Sequence, residues 1–272
     1  MKHLLRYIIV IGILSSFASS IFALPTIELA MLQDPSTLAI GITLPQTRLL
    51  KFGQKIGNTG FRRFDVKVSA DILHPFDYHP QGHANAALAF GMNWGASMPN
   101  PGKLFQGTYI GTWYVEEGVE SDLDTNKKYR AQNYTTSLGY DQQIPYTDFA
   151  RVAHKSAMPM VIGAAVSSVR NIYPIDTSSI RADAHADWSV PLLLGTSWLT
   201  NGQAHWSKDV KPYGYVESGA TYPLPMQQLN IPFVGFQPVL FARFVAGRRP
   251  PDYELINSWE YGLTSTVTIG GK

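Results

Sequence analysis

In 272 residues there is no cysteine, which excludes disulfide staples, thiolate metal sites, a cysteine nucleophile and a lipid-modified N-terminal cysteine. Charged residues make up only 15%, with 22 lysines and arginines against 20 aspartates and glutamates. No basic surplus or Lys/Arg-rich segment is present to grip nucleic acid or anionic lipid, so no nucleic-acid partner is expected.

The N-terminus is basic (Lys2, Arg6), then apolar from Tyr7 to Leu14, then rich in small residues up to Ala23, the order of a secretory signal peptide. Residues 1–23 are therefore expected to be a signal peptide and residues 24–272 a single β-rich domain, exported to the cell envelope. Cleavage after Ser20 and retention as an uncleaved anchor are the alternatives. Loss of Lys2 and Arg6 leaves a neutral mature chain. Two short segments carry helical character: Thr26 to Leu32, ended by Asp34-Pro35, and Tyr146 to His154.

Beyond them, two-residue alternation dominates, and it places successive side chains on opposite faces of a strand. Leu38 to Leu44, Phe64 to Ile72, Ala84 to Trp94, Tyr134 to Tyr140, Met160 to Val166, Arg181 to Leu192 and Trp259 to Ile269 all follow it. Less regular runs at Phe105 to Val115, Ala204 to Thr221 and Val234 to Ala246 bring the expected total to about ten strands. Thr200-Asn201-Gly202 reads as a hairpin turn, and Pro45 to Gly60 and Asp141 to Ala157 read as long connections.

Large residues on one face and Gly, Ala, Ser, Thr or Asn on the other suit a transmembrane barrel, with the broad face in hydrocarbon and the small face in a crowded interior. Ala84 to Trp94 and Arg181 to Leu192 each match the ~9–11 residues needed to cross a bilayer. The fold expected is all-β: one antiparallel sheet closed as a roughly ten-stranded barrel in the outer membrane, with a channel or structural role. The features are those of outer-membrane barrels as a class, and no family motif stands behind them. A soluble β-sandwich-like subunit of an outer-envelope or secretion complex is the alternative, since alternation also describes a sheet with one face on a soluble core. A hydrolase of the envelope is the third reading. The partners expected are outer-membrane lipid or envelope proteins, in a homo- or hetero-oligomer if these chains associate.

In the barrel reading, Asp65, Lys67, Arg181, Asp183, His185 and Asp187 form a polar face towards the interior. Glu217 and Arg243 share parity with Tyr215 and Phe241, so a bulge is expected to turn them inward. The mixed signs favour a plugged or narrowly polar interior over a strongly charge-selective pore. His74, Asp77, His79 and His83 supply imidazole and carboxylate ligands suited to zinc, but their spacing matches no established motif. His185 between Asp183 and Asp187 has the makings of acid–base chemistry, yet no Gly-x-Ser-x-Gly elbow occurs. Asp122 to Asn126 alternates oxygen-bearing residues but lacks the glycine and closing glutamate of a calcium loop. No catalytic residue is assigned and no cofactor is expected.

Overall fold

The computed structural model describes residues 25–33, 36–56, 60–77, 79–98, 107–123, 131–144, 160–173, 177–192, 195–208, 210–224, 229–231, 234–248, 250 and 255–269. The expected signal peptide and the helical candidate at Tyr146 to His154 lie outside the described residues. Thirteen strands account for nearly all the rest: β1 Thr26–Leu32, β2 Thr37–Ile56, β3 Gly60–Pro75, β4 His83–Met98, β5 Gly107–Asp122, β6 Gln132–Ile144, β7 Met160–Tyr173, β8 Thr177–Pro191, β9 Ser197–Ser207, β10 Val210–Pro223, β11 Leu229–Ile231, β12 Val234–Arg248 and β13 Leu255–Ile269.

From β1 to β10 each strand pairs antiparallel with the next. β13 pairs with both β12 and β1, and β10 pairs with β12, so the sheet closes on itself. Short β11 pairs with Val234–Phe236 of β12, beyond the Val239–Gly247 stretch that β10 covers. It prolongs the place of β10 in the ring. The result is a closed antiparallel barrel of twelve strands plus this one extra strand, not the ten expected and not an open sandwich. Closure leaves no free sheet edge along the paired strands.

The two missing strands have identifiable causes. Thr26 to Leu32 is a strand, not a helix: Ile27, Leu29 and Met31 point out and Ala30 and Leu32 point in, while β2 and β13 supply hydrogen-bonding partners on both sides. Seven residues hold both periodicities almost equally well, and tertiary pairing decides. The run from Ala204 to Thr221 spans two strands, β9 ending at Ser207 and β10 beginning at Val210, and neither Gly nor Pro in the sequence marks the break. The Asn201-Gly202 signal falls inside β9, where Asn201 pairs with Asp187 of β8 and Glu217 of β10.

Pro45 to Gly60 is likewise not a loop. β2 runs through it to Ile56, with register shifts at Leu44/Thr47 and Arg48/Leu50 against β3. Thr47 Oγ1 donates to the Pro45 carbonyl at 2.8 Å. Because the β1 pairing stops at Thr43, the N–H that Pro45 lacks is not demanded by a neighbour on that side.

Alternation is written on the barrel surface. In β4, Leu88, Phe90, Met92 and Trp94 are exposed while Ala89, Gly91, Asn93 and Gly95 are buried. In β6, Tyr134 and Leu138 are exposed and Thr135, Ser137 and Gly139 buried; in β13, Trp259, Tyr261 and Leu263 face out while Ser258 and Glu260 face in. Broad apolar side chains thus cover the outside and small or polar ones fill the inside. One interior apolar cluster, Ala30, Leu32, Ala39, Leu73 and Phe241, packs where β1, β2, β3 and β12 meet.

Candidate functional site in the barrel interior

Inside the ring lies a cavity of about 1050 Å³ walled by residues of β1, β3 to β10, β12 and β13. Two arginines organise its walls. Arg243 of β12 reaches Glu28 of β1 at 2.6 Å and Glu217 of β10 at 3.0 Å, and its Nε pairs with Glu260 of the adjacent β13. Its guanidinium carbon also lies 4.8 Å from the centre of the Phe241 ring. One cation therefore ties four strands around the seam where the first and last strands of the ring meet. Tyr215 donates its hydroxyl to Glu217 at 3.4 Å.

Glu217 and Arg243 face inward without the expected bulge. Tyr215 and Phe241, on the same parity, are buried inside the barrel, whereas Val216 and Leu240 point out. Size had assigned the two aromatics to the outer face. The ion cluster keeps both strands in this parity, and Phe241 gains the apolar cluster of β1 to β3.

Arg181 of β8 makes a two-pronged contact with Glu120 of β5, at 3.1 and 2.7 Å, and its Nε lies 2.8 Å from Asp183. Such a fork fixes geometry as well as charge. To reach Glu120 the side chain crosses β6 and β7, whose inward residues there are small: Thr135, Ser137 and Ser167 are all buried. Asp183 accepts further from Ser167 Oγ at 2.7 Å and His205 Nδ1 at 2.6 Å. A carboxylate only accepts, so this contact places a proton on His205 Nδ1 and, in the neutral ring, leaves Nε2 as an acceptor. The His205 ring stacks on Tyr213 with centroids 4.7 Å apart.

Glycine makes a third contact. Asp141 of β6 and His185 of β8 approach to 3.4 Å across β7. The β7 residue opposite both is Gly163, where any Cβ would collide with the Asp141 carboxylate and the His185 ring. His185 therefore meets Asp141, not its strand neighbours Asp183 and Asp187. Asp187 instead accepts from the Asn201 amide of β9.

Asp65 is fully buried between Arg48 at 3.0 Å, Arg63 at 2.9 Å and the Asn93 amide at 2.9 Å. Thr112 donates in turn to Asn93 at 2.8 Å. Lys67 stands half-buried two residues further along β3. Neither Asp65 nor Lys67 borders the main cavity, whereas Arg181, Asp183, His185, Asp187, Glu217 and Arg243 do. Sequence reading missed Glu28, Glu116, Glu120, Asp141 and His205. Glu28 was hidden in a segment read as helix, and Glu116 and Glu120 lie just past the strand run that was expected to end at Val115.

The candidate ligands of the His74 region do not converge. His79 Nε2 contacts the Gln33 carbonyl at 3.1 Å, while His83 contacts the Gln81 carbonyl at 2.7 Å and Asp71 at 2.7 Å. Asp77 is exposed, its backbone N–H donating to Thr37 Oγ1 at 3.2 Å. Among the described residues no three His, Asp or Glu side chains are grouped to hold a metal. Asp122 closes β5 with its N–H on the Ala131 carbonyl at 3.0 Å.

What fold and interior define is a closed β-barrel, apolar outside and ionic within. No protein-family profile and no curated protein matches the chain. Among solved structures, the translocator domain of autotransporter NalP from Neisseria meningitidis is similar at 7% identity and a TM-score of 0.29, over 99% of this chain and 96% of that one. CdiB from Acinetobacter baumannii is similar at 11% identity and a TM-score of 0.28, over 90% of this chain and 60% of that one. Both scores are low, and the barrel's own geometry carries its reading.

Proposed function

We propose that this protein is an exported outer-membrane β-barrel, residues 24–272 forming one barrel domain behind a signal peptide at 1–23, and that its polar interior is a channel. One observation carries the reading: large apolar side chains face outward from nearly every strand of a closed ring. A water-soluble barrel would leave that continuous apolar surface unsatisfied, whereas a bilayer covers it.

The aromatic side chains support the same placement. Take the rim where β1 begins and β13 ends. Exposed Trp94, Trp113, Trp188, Trp198 and Tyr222 lie in the strand halves nearer that rim, and Tyr134, Trp206 and Trp259 in the halves nearer the other. Two such belts are what the two membrane–water interfaces favour. Eleven of the twelve ring strands also exceed the ~9–11 residues a crossing requires, or match its upper end.

The channel part rests on where the ion clusters lie. Arg243, Arg181 and the Asp141–His185 pair reach along the wall, over at most two intervening strands, and leave the cavity beside them open. A soluble envelope subunit is the competing assignment. Heat-modifiability separates the two: in mild detergent the unheated protein should migrate as a compact species on a denaturing gel and shift on boiling. It should also fractionate with outer membrane and resist carbonate extraction. A protein that purifies without detergent and shows no shift is not an outer-membrane barrel.

A further inference from the structure

Resting on that channel reading, we propose that the interior selects cations and holds them with their hydration water. Among the described residues the cavity wall carries eight carboxylates against two guanidiniums. Both guanidiniums are already spent, Arg243 on Glu28, Glu217 and Glu260, and Arg181 on Glu120 and Asp183. With histidines neutral and every carboxylate ionised, at most six wall charges are left over, which in about 1050 Å³ calls for counter-ions on the order of 10 molar. Low-dielectric walls focus such a field and enrich ions of the opposite sign.

A second, independent observation points the same way. His205 is only 5% exposed and borders the cavity, and among the described residues its Nε2 has no hydrogen-bond partner. With Nδ1–H given to Asp183, that nitrogen is an acceptor in want of a donor. The buried Asn85 Oδ1 on the same cavity also lacks a partner and also accepts only. Unused acceptors beside excess carboxylates ask for a positive guest that brings O–H donors, which a hydrated cation does. Glu116 and Asp187 both border the cavity, and among the described residues neither forms an ion pair with an arginine.

The test is the zero-current potential of the full-length mature protein in a planar bilayer under a KCl gradient. Wild type should pass K⁺ over Cl⁻ by about fivefold or more, and Glu116→Gln with Asp187→Asn should lower that ratio at least about twofold. A pore that passes both ions equally, or prefers Cl⁻, overturns the inference while leaving the channel standing. Absence of conductance from a heat-modifiable barrel overturns the channel instead. Equilibrium dialysis of detergent-solubilised barrel against RbBr at low ionic strength then decides on selectivity alone. Excess Rb⁺ that falls in the double variant supports it, and equal retention of Rb⁺ and Br⁻ ends it.

Discussion

Arg243 and Arg181 are set in the same inner wall and hold it in different ways. Arg243 sits at the seam between the chain's first and last strands and gathers carboxylates from β1, β10 and β13. Arg181 sits on β8, three places round the ring from β12, within strands joined consecutively in sequence, and reaches over small residues to Glu120. At the seam the cation bridges segments that only tertiary structure brings together. In the wall it braces strands that hairpins would hold anyway. A buried ion pair adds little over a well-packed apolar substitute, but breaking one is costly because the partner charge is stranded.

That contrast ranks the perturbations. Arg243→Met strands three carboxylates at the closure and should cost about 3–5 kcal/mol, read as a lower urea midpoint in vesicles and less of the compact unheated band. Adding Glu260→Gln should recover part of the loss. An unchanged midpoint would remove the seam from the account. Arg181→Met should cost less, about 3 kcal/mol, because both carboxylates it leaves keep hydrogen bonds, Asp183 from Ser167 and His205 and Glu120 from the Asn133 amide. If the two losses are reversed, the wall and not the seam is the weak place.

A third perturbation compares the two faces of one strand. Leu138 of β6 is 58% exposed, next to inward Ser137. Leu138→Arg should cost about 2–3 kcal/mol in lipid yet be almost neutral were that surface in water, so unfolding in vesicles compared with detergent sharpens the assignment. The smallest effect is at glycine. Gly163→Ala should part Asp141 from His185 and cost about 1–2 kcal/mol, whereas Gly202→Ala, whose added carbon meets only the Ala186 carbonyl oxygen at 4.0 Å, should change the midpoint by only a few tenths of a kcal/mol. Equal costs at the two would mean that the Asp141–His185 approach is incidental.

Much of the fold was legible where one strand alone carries an unbroken pattern, as in β4, β6 and β8. It was least legible where local rules compete. Thr26 to Leu32 is too short for its period to exclude a helix, and the break between Ser207 and Val210 carries neither Gly nor Pro. Asn201-Gly202 looks like a turn, but its two flanking strands are satisfied by β8 and β10. The interior was harder still. Which carboxylate meets which arginine depends on the register of strands far apart in sequence, as Glu28 and Arg243 are, and on intervening small residues whose role appears only once the strands are side by side.

By itself the sequence determined the two-residue period, and with it the class of structure, a sheet with one apolar and one polar side, because side-chain direction along a strand is a local property. Only the tertiary structure decided that the sheet closes at twelve strands, that Tyr215 and Phe241 turn inward, and that the ionic residues form clusters around Arg181, Arg243 and Gly163. Closure and pairing are relations between distant segments, and no local pattern encodes the distance across a ring.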